Sequence, residues 1–259
     1  MKKIVLLAAF CALTLPALAI TATDPLYMLP QGGMLLDSEF AYNSNYHGGD
    51  KDKYWNIKET FKYGITDVWE VYGSLGLGNM SLEGPGPDGA GLIDPEFGVK
   101  YRATDSAFDA FNVDLSAFFG PSLFDSPMNG DDGAAKGTTD FGFKALLGTN
   151  AGQWTYGGYA GLEFVGSSDG TKSATDMHLG GVGKYYIDEV NSLDGDLSLN
   201  LYGKRVDGGD SDTSVKLMAG YSRVLNGQLD VSGFLGFASH SAQGAKGEAF
   251  LGARLRWKI

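Results

Sequence analysis

From Leu36 to the C-terminus, apolar residues recur at every second position in one segment after another. Over 69–77, Trp69, Val71, Gly73, Leu75 and Leu77 alternate with Glu70, Tyr72, Ser74 and Gly76. Over 93–102, Ile93, Pro95, Phe97, Val99 and Tyr101 alternate with Asp94, Glu96, Gly98, Lys100 and Arg102. The same period runs through 111–119, 141–147, 154–164, 177–187, 197–201, 215–221 and 229–237. It ends in Leu251, Ala253, Leu255, Trp257 and Ile259. A period of two belongs to β-strands, whose side chains point alternately to opposite faces. With two less regular opening segments near 34–45 and 53–64, the pattern predicts about twelve strands and no helix.

The connections alternate in length. Long polar ones are expected at 46–52, 79–91, 121–137, 166–174, 207–212 and 239–246, and short turns at Ile65-Thr66-Asp67, Asn150-Ala151 and Leu225-Asn226-Gly227. Long loops at one end and tight turns at the other imply an all-β, transmembrane, antiparallel up-and-down β-barrel. A three-residue turn centred on Thr66 sets Tyr63 opposite Trp69 and Lys62 opposite Glu70. A three-residue turn at 225–227, with Gly227 at positive φ, sets Tyr221 opposite Val231 and Leu217 opposite Leu235. Both choices keep apolar partners on one face, which a one-residue slip would destroy.

Aromatic residues mark the outer face. Tyr63, Trp69, Tyr101, Phe111, Trp154, Tyr156, Tyr185, Tyr221 and Trp257 all fall near the short-turn end, as an aromatic belt at one membrane interface would. The other face carries small and charged residues, which a soluble sandwich core could not bury unpaired. The expected interior is therefore a polar lumen.

Composition narrows the class. Thirty-nine glycines without a triplet repeat exclude collagen, and 43% hydrophobic with 12% aromatic residues excludes a disordered chain. A formal charge of −11 with no basic stripe excludes a nucleic-acid partner. Residues 1–19 read as a cleaved signal peptide: Lys2 and Lys3, an apolar run, then Ala17-Leu18-Ala19. The barrel would occupy 20–259. Cys11, the single cysteine, leaves with the leader, so the mature chain forms no disulfide. A Gram-negative envelope protein fits this better than a eukaryotic secreted one.

Two stretches carry a resemblance. YGITDVWEVYGSLGLG (63–78) and DPEFGVKYR (94–102) resemble segments of the outer-membrane channel family named after the meta-pathway of phenol degradation. In that family a Tyr-Gly-hydrophobic-Thr-Asp turn opens a strand, and Asp-Pro-Glu runs into Gly-x-Lys-Tyr. The resemblance implies a channel for small solutes, hydrophobic or aromatic ones included, and transfers no catalytic residues. One departure is Ile259 as the last residue, where barrel-assembly signals usually end in Phe or Trp; here Trp257 lies two residues earlier.

The lumen face has an ordered set of charges. A ring of Lys62, Glu70, Lys100, Arg102, Asp114, Lys144, Lys184, Asp196, Arg254 and Arg256 is expected. Lys62–Glu70 would be its clearest pair, with Asp37 or Glu39 meeting Arg254 or Arg256 across the barrel closure. Such a ring either satisfies a buried polar interior or filters solutes by charge. The GPGPDG string (84–89) matches a phosphate-loop pattern but has two prolines and no following helix, so it reads as a surface loop. Asp207, Asp210 and Asp212 lack EF-hand spacing and read as a solvated loop. His178 beside Asp176, and His240 between Ser239 and Ser241, are the residues on which a lipid hydrolase would rest. Adjacent strand residues point to opposite faces, so His240 cannot activate either serine, and its position predicts a solvated side chain.

The expectation is a monomeric, non-enzymatic outer-membrane channel for passive uptake of small molecules, without cofactor or metal. It would be inserted by the barrel-assembly machinery and surrounded by outer-membrane lipid and lipopolysaccharide, whose divalent cations the acidic loops could meet. The alternatives are a structural or surface-exposed barrel and an outer-membrane lipid hydrolase.

Overall fold

The computed structural model describes residues 25–47, 50–81, 89–105, 110–124, 137–167, 172–204, 211–241 and 245–259. The leader, most of GPGPDG, and Asp207 and Asp210 lie outside these residues. Twelve strands form in chain order: β1 (Met34–His47), β2 (Asp50–Thr66), β3 (Trp69–Ser81), β4 (Gly89–Thr104), β5 (Asn112–Gly120), β6 (Asp140–Ala151), β7 (Trp154–Val165), β8 (Ala174–Tyr186), β9 (Asn191–Tyr202), β10 (Asp212–Asn226), β11 (Leu229–His240) and β12 (Ala245–Lys258). Each pairs antiparallel with its neighbours in sequence, and β12 closes on β1. Closure leaves every ladder paired around the ring, which a membrane interior without water demands. The loop expected at 46–52 is mostly strand, since β1 runs to His47 and β2 begins at Asp50.

Burial is inverted relative to a soluble protein. Leu235 and Leu217 are 65% and 60% exposed on the outside, whereas Asp176, Asp140 and Glu163 are only 1–2% exposed within. Exposed leucine on this scale with buried carboxylate makes sense only if lipid, not water, is the outer solvent. The closed barrel predicts heat modifiability: in mild detergent the unboiled chain should run at a different position on a gel from the boiled chain. Identical mobility would mean that the ring is not closed.

The tight turns correct the expected registers by two residues. Tyr63 faces Val71 and Lys62 faces Tyr72, because the β2–β3 turn is Asp67-Val68 and the ladder shifts between Gly64 and Thr66. Tyr221 likewise faces Gly233, with a shift between Val224 and Asn226. Each bulge adds one residue to one strand, so a two-residue turn does the work expected of a longer one. Side chains close these turns. Thr66 Oγ1 accepts from the N–H groups of Val68 and Trp69, and Asn226 Oδ1 from those of Gln228 and Leu229. Asp188 accepts from the Asn191 side-chain amide and from the N–H groups of Val190 and Asn191, and these bonds hold its exposed carboxyl below the usual range. Gly227 is not at positive φ; Gly152 is, at 62°, heading the Gly152-Gln153 turn that replaces the one expected at Asn150-Ala151. Because each correction is two residues, side chains keep their faces.

β4 breaks the alternation. The β3–β4 ladder slips between Ser74 and Gly76, at Asp94-Pro95. Pro95 has no N–H to donate, so a bulge is where a strand tolerates it. Beyond it Ile93 packs onto the inward glycines Gly76 and Gly78, rather than sharing the outer face with Phe97.

Glycine abundance has a specific use here. A Cβ on Gly98 would lie 2.3 Å from the Tyr72 ring. Rings of Phe118, Tyr159, Phe250 and Phe234 similarly cover Gly142, Gly180, Gly236 and Gly252 on adjacent strands. The missing Cβ lets each inward ring lie along the wall instead of projecting across the bore.

Candidate functional site: a charged lumen crossed by the N-terminal segment

Residues 25–33 precede β1 and enter the barrel. Gly32 and Gly33 exchange backbone hydrogen bonds with Gly64 of β2. A Cβ at Gly64 would fall 2.2 Å from the Pro30 carbonyl oxygen. Gln31 N–H donates to Asp67, and Leu29 N–H to Glu70 of β3. Lys100 Nζ of β4 donates to the Tyr27 carbonyl at 2.8 Å, and Arg102 donates to the Leu26 carbonyl. Leu26 then packs with Leu146 of β6 and Tyr159 of β7, against Val182 of β8. The contacts of this strap thus run along the inner wall from β2 through β3 and β4 to the β6–β7 wall. Lys258 of β12 sits 5.5 Å from the Tyr27 ring. The strap lies at the turn end, near the starts of β1 and β3 and the finish of β4.

The expected lumen residues fall into several groups. Arg102 pairs with both oxygens of Asp114 at 2.8 and 3.0 Å, and Lys100 reaches the same carboxylate at 3.0 Å. Asp114 of β5 thus orients both cations that hold the strap. Across the closure, Arg254 meets Asp37 at 3.2 Å and also Glu39, while Arg256 meets Asp37 at 3.7 Å. Lys184 faces Asp194 at 3.8 Å. At mid-depth Tyr159 donates to Asp196, and the Lys144 ammonium stands 4.0 Å over the Tyr159 ring. Lys62 and Glu70 are not brought together as a facing pair. The register sets Lys62 against Tyr72, and Glu70 receives the strap's Leu29 N–H instead.

The belt residues lie on the outer surface: Tyr63, Trp69, Phe111, Trp154, Tyr156, Tyr221 and Trp257 are exposed, and Tyr101 and Tyr185 partly so. Trp69 packs on Tyr101 at 4.6 Å and Trp154 on Tyr185 at 4.7 Å, each pair directly across a ladder.

Both histidines raised as hydrolase candidates point into the lumen. His178 Nδ1 is 3.0 Å from Asn200 Oδ1, and its Nε2 is 3.5 Å from Glu163. His240 is not solvated, contrary to the sequence expectation. Its side chain is 4% exposed, and Nδ1 lies 2.8 Å from Asp212. The reason is that β11 continues through residue 240, with even positions inward. Ser241 Oγ donates to Asp212 rather than to the histidine.

The strap escaped the sequence reading because it has no period. Its signal is an apolar run between prolines, Pro25-Leu-Tyr-Met-Leu-Pro30, ahead of the first alternating strand. Such a run needs an apolar partner, and Leu26 finds one at the mid-barrel wall.

No protein-family model matches the sequence, and no curated protein matches it. Solved structures do match. The COG4313 outer membrane channel from Pseudomonas putida F1 shares 16% identity and superimposes with a TM-score of 0.79, over 92% of this chain and 100% of that one. The NanC porin shares 11% identity at a TM-score of 0.59, over 86% and 100%. The translocator domain of the autotransporter NalP from Neisseria meningitidis shares 12% at 0.59, over 97% of each. These likenesses establish an outer-membrane barrel fold.

Proposed function

We propose that the protein is an outer-membrane channel for passive uptake of small solutes, hydrophobic or aromatic compounds included. The observation that carries this reading is a polar interior furnished with charge pairs and partly filled by a discrete strap, inside a ring whose outer face suits lipid. The resemblance of 63–78 and 94–102 to the phenol meta-pathway channels supports the same reading, as does the structural likeness to a COG4313 channel and a porin. In this reading the strap narrows the turn end. Arg254 and Arg256, with Asp37 and Glu39, form one wall of the constriction, and the Arg102–Asp114–Lys100 group forms another, a few strands round the ring. Charged walls in a narrow, partly dehydrated bore select by the sign of their net field.

The test is single-channel recording of the purified barrel in planar bilayers. Steady conductance is expected. Arg254→Ala should shift the reversal potential under a salt gradient toward cation selectivity, since Asp37 and Glu39 then dominate the local field. Low ionic strength makes the shift largest, because screening is weakest there. A barrel that carries no current, with or without the strap, would overturn the channel reading. An unchanged reversal potential in Arg254→Ala would place the filter elsewhere.

A further inference from the structure

His240 is the last residue of β11, at the loop end of the lumen, where outward positions pass from Phe237 to Ser239 on β11 and from Val215 to Thr213 on β10. Its ring lies between two carboxylates from the flanking strands. Nδ1 is 2.8 Å from Asp212 on β10, and Nε2 is 3.7 Å from Glu248 on β12. Each carboxylate is itself held. Asp212 Oδ1 accepts from the N–H and Oγ of Ser241, where the chain leaves β11. Glu248 Oε1 accepts from Tyr54 of β2 at 2.9 Å, a bond that reaches past β1 on the inner wall. Four strands, β10, β11, β12 and β2, are therefore tied through one imidazole, across the seam where the barrel closes. The tie also flanks three loop roots: Asp212 opens β10, His240 ends β11 and Glu248 lies near the start of β12.

Other groups lie around this cluster on the neighbouring strands. Ser214 of β10 is the direct ladder partner of His240, Tyr202 of β9 that of Asp212, and Asn45 of β1 that of Glu248. Lys216, deeper on β10, rests 4.3 Å over the Phe250 ring and is a second positive charge acting on Glu248, whereas Asp212 has its ion-pair contact with His240. A neutral imidazole can donate from only one nitrogen, so it satisfies one carboxylate and turns a lone pair on the other. The imidazolium donates from both.

We propose that the Asp212–His240–Glu248 cluster is a proton-controlled latch on the loop-side mouth of the barrel, closed while the ring is charged and released when it loses its proton. The role given to the mouth rests on the channel reading above; the latch itself is a property of the fold. Burial works against the charged ring, but the hydrogen bond to Asp212 and the charges of Asp212 and Glu248 outweigh it and raise the imidazole to about 9. The sign follows. The group's folded value lies above its unfolded one, so the latch is fully engaged at neutral pH and below, and its contribution is lost as pH rises through about 9.

Two measurements test this on the full barrel in detergent or bilayers. First, the His240 ring, identified in nuclear magnetic resonance spectra by its loss in His240→Gln, should titrate well above an ordinary histidine. Second, amide exchange at the loop ends of β10, β11 and β12 should be slow in the wild type at pH 7, and approach that of His240→Gln at pH 10, each pair compared at one pH. In bilayers, alkaline pH on the loop side alone should increase current fluctuations in the wild type and leave His240→Gln unchanged. If that variant does not assemble, Glu248→Gln, which keeps the Asp212 contact, serves the same comparison. A ring that titrates at or below the ordinary histidine value overturns the proposal. So does exchange at these strand ends that is equal in wild type and variant at pH 7. A silent channel with the exchange difference intact would overturn the conduction reading and leave the latch standing.

Discussion

Deleting residues 25–31 should raise single-channel conductance several-fold while leaving the barrel folded. The strap contributes nothing to the ring of ladders, which closes from Met34 to Lys258 without it. It does lie inside the barrel from Gly64 to Leu146, so its loss should widen the narrowest section. The deletion also exposes Lys100 and Arg102, whose carbonyl partners it removes, and the apolar patch of Leu146 and Tyr159. The wider channel should therefore pass anions more readily than the parent at low salt. A graded version keeps the segment and loosens its end: Leu26→Ser should give brief openings to the larger conductance. If the deleted protein conducts as the parent does, the strap is not the constriction.

The second large effect is on stability. Asp114→Ala should destabilise the barrel by about 3–5 kcal/mol, as expected when one partner of a buried ion pair is removed. Asp114 is the shared acceptor for Arg102 and Lys100, and its side chain is only 3% exposed. Its removal leaves two cations side by side with no carboxylate between them. Equilibrium urea unfolding in lipid vesicles measures the loss. A double variant, Asp114→Ala with Arg102→Met, should recover part of it, because one stranded charge is gone. An unchanged urea midpoint in Asp114→Ala would mean that water in the lumen screens these charges fully.

Much of the fold is legible in the sequence because lipid and lumen impose opposite polarities on alternate residues. One phase error flips an entire strand, so the alternation of 69–77 or 251–259 has a single workable reading. What escapes is local. The bulges at Ile65 and Leu225 each add a residue without disturbing the facing, so the two-residue register error left the alternation intact. The direct facing of Lys62 with Glu70 is lost with it, although the Glu70 charge still acts on Lys62. His240 reads as solvated in the sequence for a different reason: β11 extends to His240, past the last apolar residue that marks it, and a polar strand end looks like a loop. The strap could not be found from periodicity, since its backbone is held by Glu70, Lys100 and Arg102 rather than by a ladder.

The distribution of charge between the first and last strands bears on how the barrel is made. Facing the lumen, β1 carries Asp37 and Glu39, and β12 carries Arg256 and Arg254 directly opposite. These are the first and last strands in chain order, and their pairing closes the ring. Sliding β12 by one residue would turn both arginines into the lipid, where each costs up to about 2–4 kcal/mol at the midplane. Sliding it by two would leave the faces right but set Arg254 against Ala41 or Arg256 against Leu35, so that one arginine loses its acid. Only one alignment satisfies all four charges. The joining of the two ends thus proofreads itself, and a newly made chain that closes wrongly has a built-in reason to come apart and try again.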